Sequence, residues 1–193
     1  MLQMLKALIK MTALEPRQAA LTLKHSAPAY PQVLQFALLV VIAESVIAVV
    51  FGGPEGNSAM GFINQLISNP LMLAAFQFAT FCISVGLVFV IGRYFGGTGT
   101  LHQTLFLSAW LQFFMLLLQI AMLPLTVISL SLLQTIAVAA NIFAVWVFTN
   151  FIAELHGFSS LLKVFAGIVG IFFAVIFVVV LLLSWVGIDP VGV

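Results

Sequence analysis

Apolar residues in this chain neither alternate nor recur as a narrow stripe; they form long uninterrupted runs, so the breaks between runs carry the information. A hydrocarbon core of about 30 Å needs roughly 20 apolar residues at about 1.5 Å each. Three runs of that length stand apart, at 33–51, 71–91 and 164–186; Gly52-Gly53-Pro54 closes the first and Pro70 precedes the second. Residues 105–153 contain no formal charge. As a single helix they would measure about 73 Å, more than twice the core thickness, so the chain must reverse once within them. Pro124 removes a helical donor, and Ser129, Ser131 and Gln134 supply polar atoms nearby, which places the turn at about 124–132 and gives spans at 105–123 and 132–153. The pattern predicts an all-α fold, a polytopic integral membrane helix bundle with five transmembrane helices.

The segment 1–32 has a different rhythm. Gln3, Lys6 and Lys10 share one helical face and Met4, Leu5, Leu8 and Met11 the other, the pattern of an interfacial helix lying among headgroups. Glu15-Pro16 interrupts it, and Pro at a first helical position predicts a second short helix over 16–23. Lys6 and Lys10 also break the first apolar residues, so no cleavable signal peptide is expected and the first span reads as an uncleaved anchor. The predicted organisation is an amphipathic N-terminal segment (1–32), a five-span region (33–186) and a short external tail (187–193). No internal repeat is evident.

Composition adds exclusions. Hydrophobic residues make up 64% of the 193 positions and charged residues 6%, against about 25% charged in soluble domains. The mean hydropathy is +1.29. A formal net charge of +1 gives no electrostatic basis for binding nucleic acid. The single cysteine, Cys82, lies in an apolar run and reads as a small buried hydrophobe. With five spans, all six Lys and Arg residues (Lys6, Lys10, Arg17, Lys24, Arg93 and Lys163) fall on one side, and Glu55 and Asp189 on the other. Cytoplasmic loops carry the excess of Lys and Arg, so the N-terminus is expected in the cytoplasm and the C-terminus outside. Tyr30, Tyr94 and Trp185 fall near the predicted interfaces.

Candidate chemistry concentrates in two places. Glu44 stands inside a span, where an ionised carboxylate costs about 2.5–3.5 kcal/mol. Gln77, Gln119 and Asn141 fall at comparable depths, so Glu44, Gln77, Gln119 and Asn141 form a candidate intramembrane polar site. It reads either as a proton, ion or ligand site, or as a neutral carboxylic acid hydrogen-bonded to a neighbouring amide to fix helix register. Ser108, Gln112, Met115, Gln119 and Met122 mark a protein-facing side of the third span, as Gln77, Thr80 and Ser84 do in the second.

The second place is the predicted cytoplasmic face. Gly92-Arg93-Tyr94-Phe95-Gly96-Gly97-Thr98-Gly99-Thr100 is rich in glycine, and Thr100-Leu101-His102-Gln103 reads as a capping box. Glu154 in the last turn of the fourth span opposes the helix dipole and calls for a cation, for which Arg93 is the candidate; Gly157 is the expected helix stop and Ser159 or Ser160 the next cap. Arg93, Gly96, Gly97, Gly99, Glu154 and His156 thus form a candidate ion-pair or lipid-headgroup site. His102 and His156 lack a third evident ligand, so no metal site is expected. No nucleotide-loop spacing and no paired nucleophile and base occur, so neither a cofactor nor an enzymatic activity is expected. Ala166, Gly170 and Ala174 permit close helix approach within the bundle or between subunits.

Together Glu15-Pro16-Arg17-Gln18-Ala19-Ala20, Gly92-Arg93 with Gly96-Gly97-Thr98-Gly99, and the stretch 151–159 with Glu154-Leu155-His156-Gly157-Phe158 resemble the Yip-domain family of membrane proteins, named for interaction with Ypt/Rab GTPases. The resemblance spans about 15–183. It implies a non-enzymatic multi-pass membrane protein with an interaction or membrane-organising role, whose partners are membrane lipids and other membrane proteins or copies of itself. Eukaryotic members carry a long cytoplasmic N-terminal region, whereas only about 32 residues precede the first span here. That departure resembles a bacterial relative in the inner membrane, and a Rab-type GTPase partner is implied only for a eukaryotic source. The alternative is a small transporter or channel that uses Glu44 and the nearby amides.

Overall fold

The computed structural model describes residues 2–51, 69–128 and 130–185. Among them are seven helices and no strand: α1 (Leu2–Leu14), α2 (Pro16–His25), α3 (Tyr30–Phe51), α4 (Pro70–Tyr94), α5 (Leu101–Ile128), α6 (Leu130–His156) and α7 (Leu161–Trp185). The last five are long and apolar enough to cross a membrane. The predicted spans overlap these five helices, the last of them, 164–186, running past Trp185 out of the described residues. α5 continues through Pro124 to Ile128 and α6 opens at Leu130, so the proline sits inside a helix and most of the predicted turn at 124–132 is helical. Ser129, Glu55, the Gly52-Gly53-Pro54 stop, Val186 and the tail 187–193 with Asp189 lie outside the described residues.

Local signals explain the ends. The Asn69 side chain accepts hydrogen bonds from the backbone of Leu71 and Met72 at 3.0 and 3.3 Å and starts α4. The capping box at α5 forms in both directions: Thr100 N donates to Gln103 Oε1 (3.1 Å) and Gln103 N to Thr100 Oγ1 (3.2 Å). Ser160 begins α7, its hydroxyl accepting from the Lys163 amide at 3.4 Å.

Burial is uneven along the bundle. The best-packed region gathers Ala19, Ala20 and Leu23 of α2, Leu105 to Leu111 of α5, and Val147, Phe151 and Leu155 of α6. This is the end at which Arg17, Lys24, Arg93 and Lys163 collect, and it is called here the basic end. The two short N-terminal helices are held against this end of the bundle. α2 packs across α6 and α5, and α1 folds back onto α2, turning Leu5, Leu8, Ile9 and Met11 toward the core while Met4 stays exposed. The tie is specific: Trp110 Nε1 donates to Thr12 Oγ1 at 3.0 Å, and the fully buried Thr12 hydroxyl donates to Leu8 O at 2.8 Å. An indole N–H buried in the bundle needs an acceptor, and α1 carries it there.

One expectation is corrected. Cys82 is exposed on the outer face of α4, because Phe81 and Val85 take the inward positions. Ala166, Gly170 and Ala174 are also exposed, since α7 leans on α6 with a different face; of the two roles expected of them, packing within the bundle is not seen among the described residues and contact between subunits stays open. Phe172, Phe173 and Phe177 stand outward around them, as a lipid-facing surface requires.

The Thr12–Trp110 bond is testable. Thr12→Val keeps shape but removes the acceptor, and should cost about 1–3 kcal/mol. Thermal unfolding in detergent should show that loss, with Thr12→Ser retaining most of the stability.

Candidate functional site

The last four carbonyls of any α-helix lack intrahelical partners, and α6 ends where three chain segments converge on it. Gly157, at φ +76°, turns the chain so that Phe158 N donates to Ala153 O at 2.8 Å. Lys24 Nζ donates to Glu154 O (3.2 Å) and Leu155 O (3.1 Å). Thr98 N donates to His156 O at 3.1 Å. Every terminal carbonyl is therefore satisfied, two of them by a cation that also complements the negative end of the helix dipole.

Arg17 completes the fastening. Its Nε lies 2.9 Å from Glu154 Oε2, and its Nη2 donates to Phe158 O at 3.1 Å. This corrects the expected Arg93–Glu154 pair. α2 crosses the end of α6 and delivers Arg17 to Glu154, while Arg93 remains exposed at the end of α4. The signal for α2 was present in Pro16, Ala19, Ala20 and Leu23, spaced along one buried stripe, with Arg17 and Lys24 seven residues apart beside it.

His156 explains the glycines. Its side chain is buried and stacks on Phe158, centroids 5.6 Å apart. A Cβ at Gly92 would overlap its imidazole, and one at Gly97 would come within 2.5 Å of Nδ1 and 2.7 Å of Gly92 O. Gly99 is almost as tight against Leu155. The loop can close over the ring only without side chains at these positions. Gly96, at φ +86°, ends α4 with paired bonds, Gly97 N to Gly92 O (2.8 Å) and Gly96 N to Arg93 O (3.0 Å). Of the predicted face, Gly97, Gly99 and His156 come together, Gly96 forms the turn, Glu154 looks toward α2, and Arg93 with Tyr94 and Phe95 is left exposed. His102 lies instead against Tyr30, with centroids 5.7 Å apart.

The intramembrane cluster forms in altered groupings. Glu44 Oε2 accepts from Gln112 Nε2 at 2.7 Å, so its partner is an amide named for the α5 face rather than one of the four cluster residues. Both open onto a cavity of about 370 Å³ with Gln77, Thr80, Ser84 and Ser108. Gln77 also accepts from Ser45 Oγ (2.6 Å) and borders a second cavity of about 680 Å³, where it meets Gln119 and Asn141. The Asn141 amide donates to Ala137 O of its own helix at 2.8 Å. Gln77 thus joins two cavities, one holding Glu44 and the other the remaining amides. Depth alone could group these residues, but it could not tell which helix faces meet.

The family model of the Yip1 domain matches residues 11–183, nearly the whole chain. The chain belongs to the Yip1-domain family. No curated protein and no solved structure matches it. The Yip1 domain begins inside α1 and contains both Thr12 and Trp110. The three stretches that carried the resemblance, at 15–20, 92–99 and 151–159, are distant in sequence and meet at the basic end of the bundle.

Alanine at Gly92 or Gly97 should destabilise the Yip1 domain by about 1–3 kcal/mol through overpacking. Gly170, open to its surroundings, should tolerate the same change or gain up to about 1 kcal/mol. Pairing Gly92→Ala with His156→Ala should recover part of the loss in a double-mutant cycle by thermal unfolding.

Proposed function

We propose that the protein is a non-enzymatic interaction or membrane-organising protein, with the basic end and the N-terminus in the cytoplasm, the C-terminus outside, and the bacterial inner membrane as its location. The positive-inside rule supports the orientation, since Arg17, Lys24, Arg93 and Lys163 share one end. The partners this reading expects are membrane lipids, other membrane proteins or further copies of the chain.

One observation carries the reading. The loop over His156 is fixed from below, yet it ends α4 with Arg93, Tyr94 (85% exposed) and Phe95 (66% exposed), the two rings in a T-shaped pair 5.5 Å apart. Tyr and Arg are enriched at interaction hot spots, and a loop already held in place loses little entropy on binding. A benzoylphenylalanine at position 95 should give a discrete protein adduct in native membranes, one that Tyr94→Ala weakens and that the same probe at lipid-facing Ile142 does not give. Lipid adducts alone at position 95 would oppose the reading.

A second reading rests on Glu44, whose hydrogen-bonded carboxyl borders a cavity lined by Thr80, Ser84 and Ser108. A small transporter or channel would show proton or solute flux in liposomes that Glu44→Gln abolishes. An interaction protein would show none, with Glu44→Gln changing only stability.

A further inference from the structure

α7 packs against α6 and stands off from α4, leaving a lateral groove of about 510 Å³. Leu87 and Ile91 of α4 form one wall, Ile168 and Ile171 of α7 the other, and Phe148 and Ile152 of α6 the floor. The groove reaches along α7 from Lys163 to Phe172. Nine residues of helix measure about 14 Å, close to one leaflet of a hydrocarbon core about 30 Å thick. Its volume is within the range of about 300–1,000 Å³ usual for ligand sites.

The two ends of the groove differ chemically. The deep end is apolar apart from Ser84, whose hydroxyl donates to Thr80 O of its own helix at 2.8 Å. The mouth, at the basic end, has Lys163 and the hydroxyl-bearing Ser159 and Ser160. α7 starts beside the mouth, at Leu161, adding the positive end of a helix dipole. Glu154, the acidic group nearest in sequence, is taken by Arg17. A positive, donor-rich mouth above an apolar slot one leaflet deep complements a phosphate headgroup with an acyl chain beneath it.

We propose that the α4/α6/α7 groove binds one anionic glycerophospholipid from the leaflet at the basic end, its phosphate at Lys163 and the start of α7 and an acyl chain between α4 and α7. The site adjoins the exposed Arg93-Tyr94-Phe95 surface, since Phe95 borders the mouth of the groove. Gly167 makes it testable, because it lines the groove and a Cβ there would meet no protein atom within 4 Å. A bulky residue at Gly167 should project into the slot, and also favours the helix relative to glycine. Gly170 is equally open but lies outside the groove and serves as the matched control.

The full chain would be placed in nanodiscs of phosphatidylglycerol and phosphatidylcholine with a trace of phosphatidylglycerol bearing a diazirine in its acyl chain, and adducts mapped by mass spectrometry. Adducts should concentrate on Leu87, Ile91, Ile168 and Ile171, disappear in Gly167→Trp and persist in Gly170→Trp. Lys163→Gln should reduce the preference for phosphatidylglycerol over phosphatidylcholine about fivefold. Equal labelling of outward Phe173 and Phe177, or groove labelling unchanged by Gly167→Trp, would reduce the lipid to ordinary annular contact and overturn the proposal. In a Cys82→Ser background, a disulfide-linked dimer formed by Gly167→Cys in place of lipid adducts would assign the groove to a second copy and overturn it equally.

Discussion

A helix that ends inside packed protein must find partners for its final carbonyls, and much of the basic end follows from how α6 does so. Thr98, Lys24 and Phe158 come from three separate segments to satisfy Ala153 through His156. Because an unpaired buried carbonyl costs about 1–3 kcal/mol, removing one segment exposes a loss in the others. The Arg17–Glu154 pair adds little by itself, about 0–1 kcal/mol for a partly exposed ion pair. Its effect is directional: it sets the angle at which α2 crosses and so places Lys24 over the carbonyls.

That arrangement divides the molecule. At the basic end α1 and α2 fill the space between the spans, and the glycine loop closes on His156. Farther along, the helices diverge around two mainly apolar cavities that carry Glu44 and the amides, and around a lateral groove. The dense part supports a surface for partners, whereas the open part offers room for lipid or solute. The proposed membrane-organising role would draw on both: a rigid face at the basic end and a flank with room for lipid.

Much of the architecture was legible in the sequence because lipid imposes a length requirement that apolar runs display directly. The spans, the break at Pro16, the capping box at Thr100 and the stop at Gly157 all follow from local chemistry. Associations between distant segments did not. Arg93 was the nearest cation by level for Glu154, but the choice of Arg17 depends on the packing of α2, which its small-residue stripe hints at without naming a partner. Likewise the depth of Glu44 was readable, whereas its pairing with Gln112 depends on helix rotation. Cys82 was misplaced, and the partner face of Ala166, Gly170 and Ala174 was left open, for a shared reason: every face of a span is apolar, so hydrophobicity does not separate lipid-facing from core positions.

The account holds that α2 and the glycine loop are fastened to α6 as one unit. Amide hydrogen exchange of the full chain in nanodiscs, comparing the native protein with Lys24→Ala, tests this most directly. The amides of Thr98 and Phe158 should be slow in the native protein although they lie in loops, and Lys24→Ala should accelerate α2, Thr98 and Phe158 together while leaving α7 unchanged. Faster exchange in α2 alone, with Thr98 and Phe158 unaffected, would contradict the account.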